Sequence, residues 1–333
     1  MLCDNHNRVI TYLRISVTER CNFRCVYCMP AEGIELLPRD ELLTFEEITR
    51  LARVASTLGL TKIRLTGGEP TVRKDLPQLI KMLREIEGIR EIAMTTNAAR
   101  LEVLAHPLKQ AGLDRLNISL DTLQRERMQH ISRRDLYHQV LEGIDAACEY
   151  FPVKFNCVAM RGVNDDEFCD LLQFAHERTA QMRFIEYMPM GEARFDSHNK
   201  FISAIEMRER LSSRFSLEPE YSCDSPLTTH HSPTDPTRNW VCRKSGARVG
   251  FITSISEHFC DTCNRMRLTA EGGLRPCLHQ DAEVDVKRLL RLGDDDETIA
   301  QAFRDAANLK WAGHHINDAI PLYSAKEMVA IGG

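Results

Sequence analysis

The amino-acid sequence predicts an α/β fold built on a curved, barrel-like parallel sheet. Two observations carry this prediction. From Thr11 to about Leu217 the chain alternates six times between a short β-branched or aliphatic run and an amphipathic helical segment. That order suits a parallel sheet with helices packed outside it. Each of the six runs also leads into a small or polar cluster: residues 21–28, 67–69, 95–97, 119–121, Asn156 and 188–191. A doubly wound sheet concentrates its site at one switch point, whereas a barrel gathers it from the ends of several strands. Contributions from all six strands favour the barrel.

The first strand covers residues 11–17, a few residues before Cys21. Thr44 with Glu47 three positions on has the capping-box pattern. Ile48, Leu51, Ala55 and Leu58 then recur at helical spacing, and Gly59 ends the helix. Lys62–Thr66 is the second strand and runs into Gly67-Gly68-Glu69-Pro70. Residues 76–86 form the second helix, with Pro77 in its first turn and Gly88 after it. Strands at 91–95, 115–120, Val153–Ala159 and 183–187 alternate with helices at about 101–111, 136–149 and 167–178. A last helix opens at Ser203, with Glu206 placed to cap it reciprocally.

Beyond Leu217 the character changes, which places one domain at 1–217 and a second at 218–333. Residues 222–240 set Pro226, Pro233 and Pro236 among Ser, Thr and Asp and read as loop. The acidic run 294–297 reads as the solvated start of a helix. Gly332-Gly333 taken alone reads as a frayed end.

A net charge of −5 argues against a nucleic-acid protein held by general electrostatics. No apolar run approaches the roughly 20 residues that a bilayer span needs. The N-terminus lacks the apolar core of a signal peptide. A cytoplasmic protein, monomer or homodimer, is expected. Twelve cysteines are many for that compartment, where disulfides are rare. Six fall into two tight sets, which points to metal. The others (Cys3, Cys148, Cys157, Cys169, Cys223 and Cys242) read mostly as small buried hydrophobes.

Cys21, Cys25 and Cys28 have C-x3-C-x2-C spacing. Iron–sulfur clusters are held by thiolates, and a cubane takes four. Three local thiols therefore point to a cluster with one iron left open. The competing readings are reduced structural cysteines and a zinc knuckle, which favours C-x2-C pairs closed by a second pair or by histidines. Cys260, Cys263 and Cys277 form C-x2-C-x13-C, and His258 or His279 could complete a zinc site there. Spacing alone leaves zinc and iron–sulfur open, while the parallel with the first set favours a second cluster.

No P-loop and no GxGxxG turn is present, so a triphosphate would be held by discrete Arg and Lys side chains. Arg14, Arg64 and Lys154 lie on strands whose ends face the expected site, and Arg265 and Arg267 flank the second cysteine set. His230-His231 and His314-His315 read as loop or surface, since adjacent side chains diverge.

With both sets in view, the sequence resembles the radical S-adenosylmethionine superfamily. More narrowly it resembles the GTP 3',8-cyclase family, which opens molybdenum cofactor biosynthesis. The superfamily signature is Cys21, Cys25 and Cys28 with Tyr27 before the last cysteine, together with Gly67-Gly68-Glu69-Pro70. The narrower resemblance rests on FCDTCNRMRLTAEGGLRPCLH (259–279), RFIEYMPMG (183–191) and the terminal Gly332-Gly333. It implies an incomplete (β/α)6 TIM-like barrel, with a C-terminal domain carrying a second 4Fe-4S cluster over the barrel mouth.

The resemblance further implies S-adenosylmethionine on the open iron of the first cluster, touching Tyr27, Gly68, Ser119 and Met188. It implies GTP against Arg14, Arg64, Thr95, Lys154, Arg265, Met266 and Arg267, with its purine at the second cluster. The implied product is (8S)-3',8-cyclo-7,8-dihydroguanosine 5'-triphosphate. A 5'-deoxyadenosyl radical takes hydrogen from the 3' carbon of the ribose, and the ribosyl radical attacks carbon 8 of guanine. Gly332 and Gly333 would enter the crowded site. An electron donor such as flavodoxin and a downstream cyclic pyranopterin monophosphate synthase are the implied partners. Ala98 stands where the family commonly has glycine, which puts the conformation of that loop in question. The rivals are a two-cluster peptide maturase, whose extra clusters usually take four thiols, and a non-catalytic metal-binding regulator.

Overall fold

The computed structural model describes residues 1–190, 197–220, 235–316, 318 and 326–332. The first half alternates β1 (Tyr12–Ser16), α1 (Phe45–Thr57), β2 (Lys62–Thr66), α2 (Leu76–Arg84), β3 (Glu91–Thr96), α3 (Leu101–Gln110) and β4 (Arg115–Ser119). Two helices follow, α4 (Arg125–Ser132) and α5 (Tyr137–Tyr150), then β5 (Val153–Ala159), α6 (Phe168–Glu177) and β6 (Gln181–Glu186). Next come α7 (Ser197–Lys200), α8 (Ala204–Ser212), β7 (Leu217–Pro219), β8 (Thr237–Cys242) and β9 (Arg248–Ile252). The chain continues through β10 (Arg265–Leu268), β11 (Gly273–Arg275), β12 (Val284–Asp285), α9 (Val286–Leu292) and α10 (Asp296–Asn308).

These strands form one open sheet in the order β12-β11-β10-β1-β2-β3-β4-β5-β6-β9-β8-β7. Neighbours from β10 to β9 run parallel, and the outermost pairs are antiparallel. The C-terminal segment therefore extends both edges of the six-strand unit. It adds β10 beside β1, with Arg14 level with Arg267, and β9 beside β6, with Arg183 level with Gly250.

Side chains alternate faces along a strand, and here the alternation separates core from cavity. Ile15, Leu65, Ile92, Met94, Leu116, Ile118, Phe155 and Phe184 are fully buried in one hydrophobic core. The opposite face carries Arg14, Arg64, Thr95, Asn117, Lys154 and Arg183 into a cavity. A sheet hydrophobic on its helix-covered side and cationic on the other is suited to hold an anion.

Helix signals were mostly realised. Thr44 and Glu47 complete their capping box: the Glu47 N–H donates to Thr44 Oγ1 at 3.1 Å and the Thr44 N–H to Glu47 Oε2 at 2.8 Å. Asp295 caps α10 by accepting from the Thr298 N–H at 2.9 Å. At α8 only half of the expected box forms. Ser203 accepts from the Glu206 N–H, but the Glu206 carboxylate is taken by Arg161 and Arg210.

Two further readings need correction. Helix α4 lies in a stretch assigned to no element, because Arg125–Ser132 is polar apart from Met128 and Ile131. Residues 237–240, the end of the stretch read as loop, instead belong to β8, which pairs antiparallel with β9. The rest of that stretch, from 222 to 234, lies outside the described residues, with Cys223, His230 and His231. Of the remaining scattered cysteines, Cys157 and Cys242 are buried, Cys148 and Cys169 are half-buried, and Cys3 is exposed. Ala98 is fully buried at φ +66°, a left-handed conformation that explains why glycine would serve there. Among the described residues, no helix is long and apolar enough to cross a membrane.

Candidate functional site

A cavity of about 1130 Å³ on the polar face of the sheet brings both cysteine sets together. Cys21, Cys25 and Cys28 line it, as do Cys260, Cys263 and Cys277. Tyr27, Gly68, Ser119 and Met188 face the same space, and so do Arg14, Arg64, Thr95, Lys154, Arg265 and Arg267. Met266 does not join them: alternation along β10 turns its side chain into the core, where it is fully buried. Gly333 and Gly191 lie outside the described residues.

At the first cysteine set the chain is pinned from several sides. The Cys28 N–H donates to Cys25 O at 2.9 Å, and the Phe23 N–H to Cys21 Sγ at 3.3 Å. The Val26 N–H donates to Ile131 O at the end of α4. The glycine motif approaches as backbone on backbone. Gly68 N–H donates to Thr18 O at 2.7 Å and Glu69 N–H to Arg20 O at 2.8 Å. A Cβ on Gly68 would sit 2.4 Å from Arg20 O, so only glycine fits.

Glu69, 2% exposed, accepts from Thr71 Oγ1 and Thr96 Oγ1, each at 2.6 Å, and from the Asn97 N–H at 2.7 Å. It thereby ties the motif to the end of β3. Tyr27 donates its hydroxyl to Asp121 Oδ2 at 2.7 Å, and Asp121 Oδ1 accepts from the Val158 N–H at 2.9 Å. Burial pushes the Asp121 carboxyl up to about 6, against the hydrogen bond from Tyr27. Burial likewise pushes the Cys21 and Cys28 thiols up to about 12.

At the second set Cys263 N–H donates to Cys260 O at 3.1 Å. Arg8 Nη1 donates to Cys260 O at 2.8 Å, and Lys310 Nζ to Arg265 O at 2.8 Å. Burial raises the Cys263 thiol, but Arg265 and then Lys310 outweigh it and hold the thiol at about 6. His314, expected at the surface, is half-buried in the cavity wall. Its ring lies 5.2 Å from those of both His258 and His279, and its Nε2 lies 2.9 Å from Ser254 O. His315 pairs outward with Asp318 at 2.8 Å.

A cationic belt joins the two ends. Arg64 donates to the Tyr12 hydroxyl and, at 3.2 Å, to Thr95 Oγ1. Arg115 pairs with Glu91 at 2.6 Å, and Arg183 faces Asp235 at 3.6 Å. Burial, then Arg183 and Arg115, lower the Lys154 ammonium to about 7. Burial also lowers Arg14 and Arg183 to about 10. Gly332 reaches the belt, its carbonyl accepting from Arg267 at 2.6 Å and from Arg14 at 3.3 Å.

Sequence reasoning passed over Tyr12, Arg115, Arg183, Asp235 and Lys310, and placed Asp121 only within the polar cluster 119–121. The first three were legible as alternate residues of strands already recognised, in step with Arg14, Asn117 and Lys154. Asp235 and Lys310 lie on no recognised strand and carried no such signal.

Among the described residues, no three His, Cys, Asp or Glu side chains close on one point as a single metal ion would require. Three thiols at each end of one cavity remain the donor sets to be explained.

Residues 15–175 match the Radical SAM superfamily, and residues 180–316 match Molybdenum Cofactor Synthesis C. The GTP 3',8-cyclase of Moorella thermoacetica is 45% identical over 332 residues, covering 99% of each chain. The chain belongs to the GTP 3',8-cyclase family. The mitochondrial GTP 3',8-cyclase of Arabidopsis thaliana is 42% identical and covers all of this chain and 84% of its own. The crystal structure of Streptococcus suis SuiB bound to S-adenosylmethionine covers 90% of this chain and 69% of its own, with a TM-score of 0.58. At 15% identity that similarity speaks for the fold alone.

The cofactors of GTP 3',8-cyclases are S-adenosylmethionine and two 4Fe-4S clusters, and the donor sets fit them. Thiolates are what such clusters require, and three thiols leave one iron open at each end. The N–H of Phe23 on Cys21 Sγ is the kind of contact that tunes a cluster sulfur. The zinc reading of the second set gives way to the family assignment.

Proposed function

We infer that this chain converts GTP to (8S)-3',8-cyclo-7,8-dihydroguanosine 5'-triphosphate, the first step of molybdenum cofactor biosynthesis. The observation that carries the reading is one cavity holding two three-thiol sets, with a guanidinium belt between them. When bound, S-adenosylmethionine and the first cluster supply a 5'-deoxyadenosyl radical, chemistry that belongs to the cofactor.

The chain's own residues bind and orient. Cys21, Cys25 and Cys28 hold the first cluster, and Cys260, Cys263 and Cys277 the second. Tyr27, Gly68, Ser119 and Met188 receive S-adenosylmethionine, with Tyr27 steadied by Asp121. Arg14, Arg64, Lys154, Arg265 and Arg267 receive the triphosphate end of GTP, and Arg183 and Arg115 extend that belt. Thr95 joins through Arg64. Fixed cations in a buried site bind an anion without reorganising. Anchoring GTP at both ends keeps the ribose 3' hydrogen beside the radical and holds carbon 8 of guanine within reach of the 3' carbon.

We place the radical-generating unit at 1–217 and the substrate-recognition unit at 218–333, in the cytoplasm, with a flavodoxin-like reductant. A cyclic pyranopterin monophosphate synthase takes the product. The test is anaerobic turnover with reductant, S-adenosylmethionine and each nucleoside triphosphate in turn. 5'-Deoxyadenosine and a cyclised nucleotide should form with GTP and not with ATP. Turnover indifferent to GTP overturns the reading.

A further inference from the structure

Glu186 stands inside the RFIEYMPMG segment yet takes no part in the contacts described above. It ends β6, two residues before Met188, and is 1% exposed. Its carboxylate gathers hydrogen bonds from two distant parts of the chain. Oε1 accepts from the Ala204 N–H at 3.1 Å, at the start of α8, and from the Ser256 hydroxyl. Oε2 accepts from the N–H groups of Ile255 and Ser256, both at 2.9 Å. Four donors fill the acceptor capacity of a carboxylate.

The turn held this way, 254–258, leads directly into Cys260. Its own closure is already supplied by Thr253 Oγ1 donating to Glu257 O at 2.8 Å, and His314 meets Ser254 O at 2.9 Å. Closing the turn therefore does not require a buried carboxylate, which is costly to desolvate. What the carboxylate adds is a tie between two ends of the cavity. The strand end bearing Met188 is fastened to the loop bearing the second cysteine set.

We propose that Glu186 is a positioning residue for cyclisation. It fixes the second cysteine loop, and with it the guanine, relative to the S-adenosylmethionine end. The proposal rests on the cyclase reading above. Hydrogen transfer is sensitive to placement, and an error of about 1 Å can cost on the order of a hundred-fold. A loosened loop should leave radical formation running while fewer radicals end in product.

The test compares wild type, Glu186→Gln and Ser256→Ala, each reconstituted anaerobically and turned over with GTP. Both 5'-deoxyadenosine and cyclised product are counted. The glutamine keeps the size but turns an NH2 toward donors that need an acceptor. Ser256→Ala removes one of the four bonds at an exposed turn residue, so the fold is not at risk. The expected result is about five-fold more 5'-deoxyadenosine per product in Glu186→Gln and about two-fold more in Ser256→Ala, as misplacement predicts. Iron should stay at about eight per chain.

If Glu186→Gln does not fold or loses iron, Ser256→Ala alone decides. A ratio equal to wild type in the variants that keep both clusters overturns the proposal, whatever the overall rate. Absence of product from wild type tells against the cyclase reading instead.

Discussion

Arg267 donates through Nη1 to the carbonyl oxygen of Gly332 at 2.6 Å, and Arg14, level with Arg267 on the neighbouring strand, reaches the same oxygen. The C-terminal tail is thus seated on two cations of the belt. Gly332 adopts φ +68°, and a Cβ there would lie 2.6 Å from Thr66 Oγ1. An L-residue in that conformation costs roughly 1–2 kcal/mol before the clash is counted. Gly332→Ala, and deletion of Gly332 with Gly333, should leave about eight irons per chain. Cyclisation should fall about ten-fold or more, as about 1.4 kcal/mol dictates. Full activity in either variant means that the tail is idle.

Lys154 should make GTP binding depend on pH. Its pKa is lowered to about 7 by burial and by Arg183 and Arg115, while Asp235 acts to raise it. The ammonium is therefore present below about pH 7 and lost above it. The KM for GTP should rise above that point, by at most about ten-fold per pH unit for one required proton. Tyr12 titrates in the same sense: burial raises its phenol, but Arg64 and Arg14 outweigh burial and set it at about 8. Tyr12→Phe separates the two groups. Asp235→Asn should move the break to lower pH, and Lys154→Arg should flatten it. A wild-type KM that stays level from about pH 6 to about pH 8.5 removes Lys154 from the site.

The two cysteine sets should separate by function. Replacing Cys260, Cys263 and Cys277 with Ala should leave about four irons per chain. Reductive cleavage of S-adenosylmethionine should persist at a reduced rate, with GTP no longer changing it. Zinc in freshly prepared anaerobic wild-type protein, bound at this set, favours the regulator reading.

The strands were legible as short aliphatic or β-branched runs set between helical segments, and Val153–Ala159 and Lys62–Thr66 were bounded correctly to the residue. What escaped was set by contacts rather than by pattern. Helix α4 shows too few apolar residues to announce itself, yet its end receives the N–H groups of Arg24 and Val26. β8 hides among prolines and polar residues and exists because β9 offers it an edge. The cysteines spoke through spacing, and Gly68 through the family resemblance. The reason for Gly68, a backbone carbonyl 2.4 Å from any Cβ, needed the fold. Met266 was drawn into the site by its neighbours Arg265 and Arg267, and strand alternation, already on hand, should have excluded its side chain.

Gly68→Ala tests what that glycine is for. The added Cβ would meet Arg20 O at 2.4 Å and Glu19 O at 2.6 Å. Arg20 O cannot step aside cheaply, because it accepts from the Glu69 N–H, and Glu19 O sits between it and Thr18 O, the acceptor that holds Gly68. The strain must pass into residues 18–20, directly before Cys21. Iron should drop to about four per chain, the remainder belonging to the second set. Cleavage of S-adenosylmethionine should vanish, the mirror image of the triple cysteine variant. The core strands keep their packing, so Tm should fall by only about 2–4 °C per kcal/mol of strain. If the variant keeps both clusters and still cleaves S-adenosylmethionine, the close backbone approach is dispensable, and the glycine must be explained by the cofactor it faces.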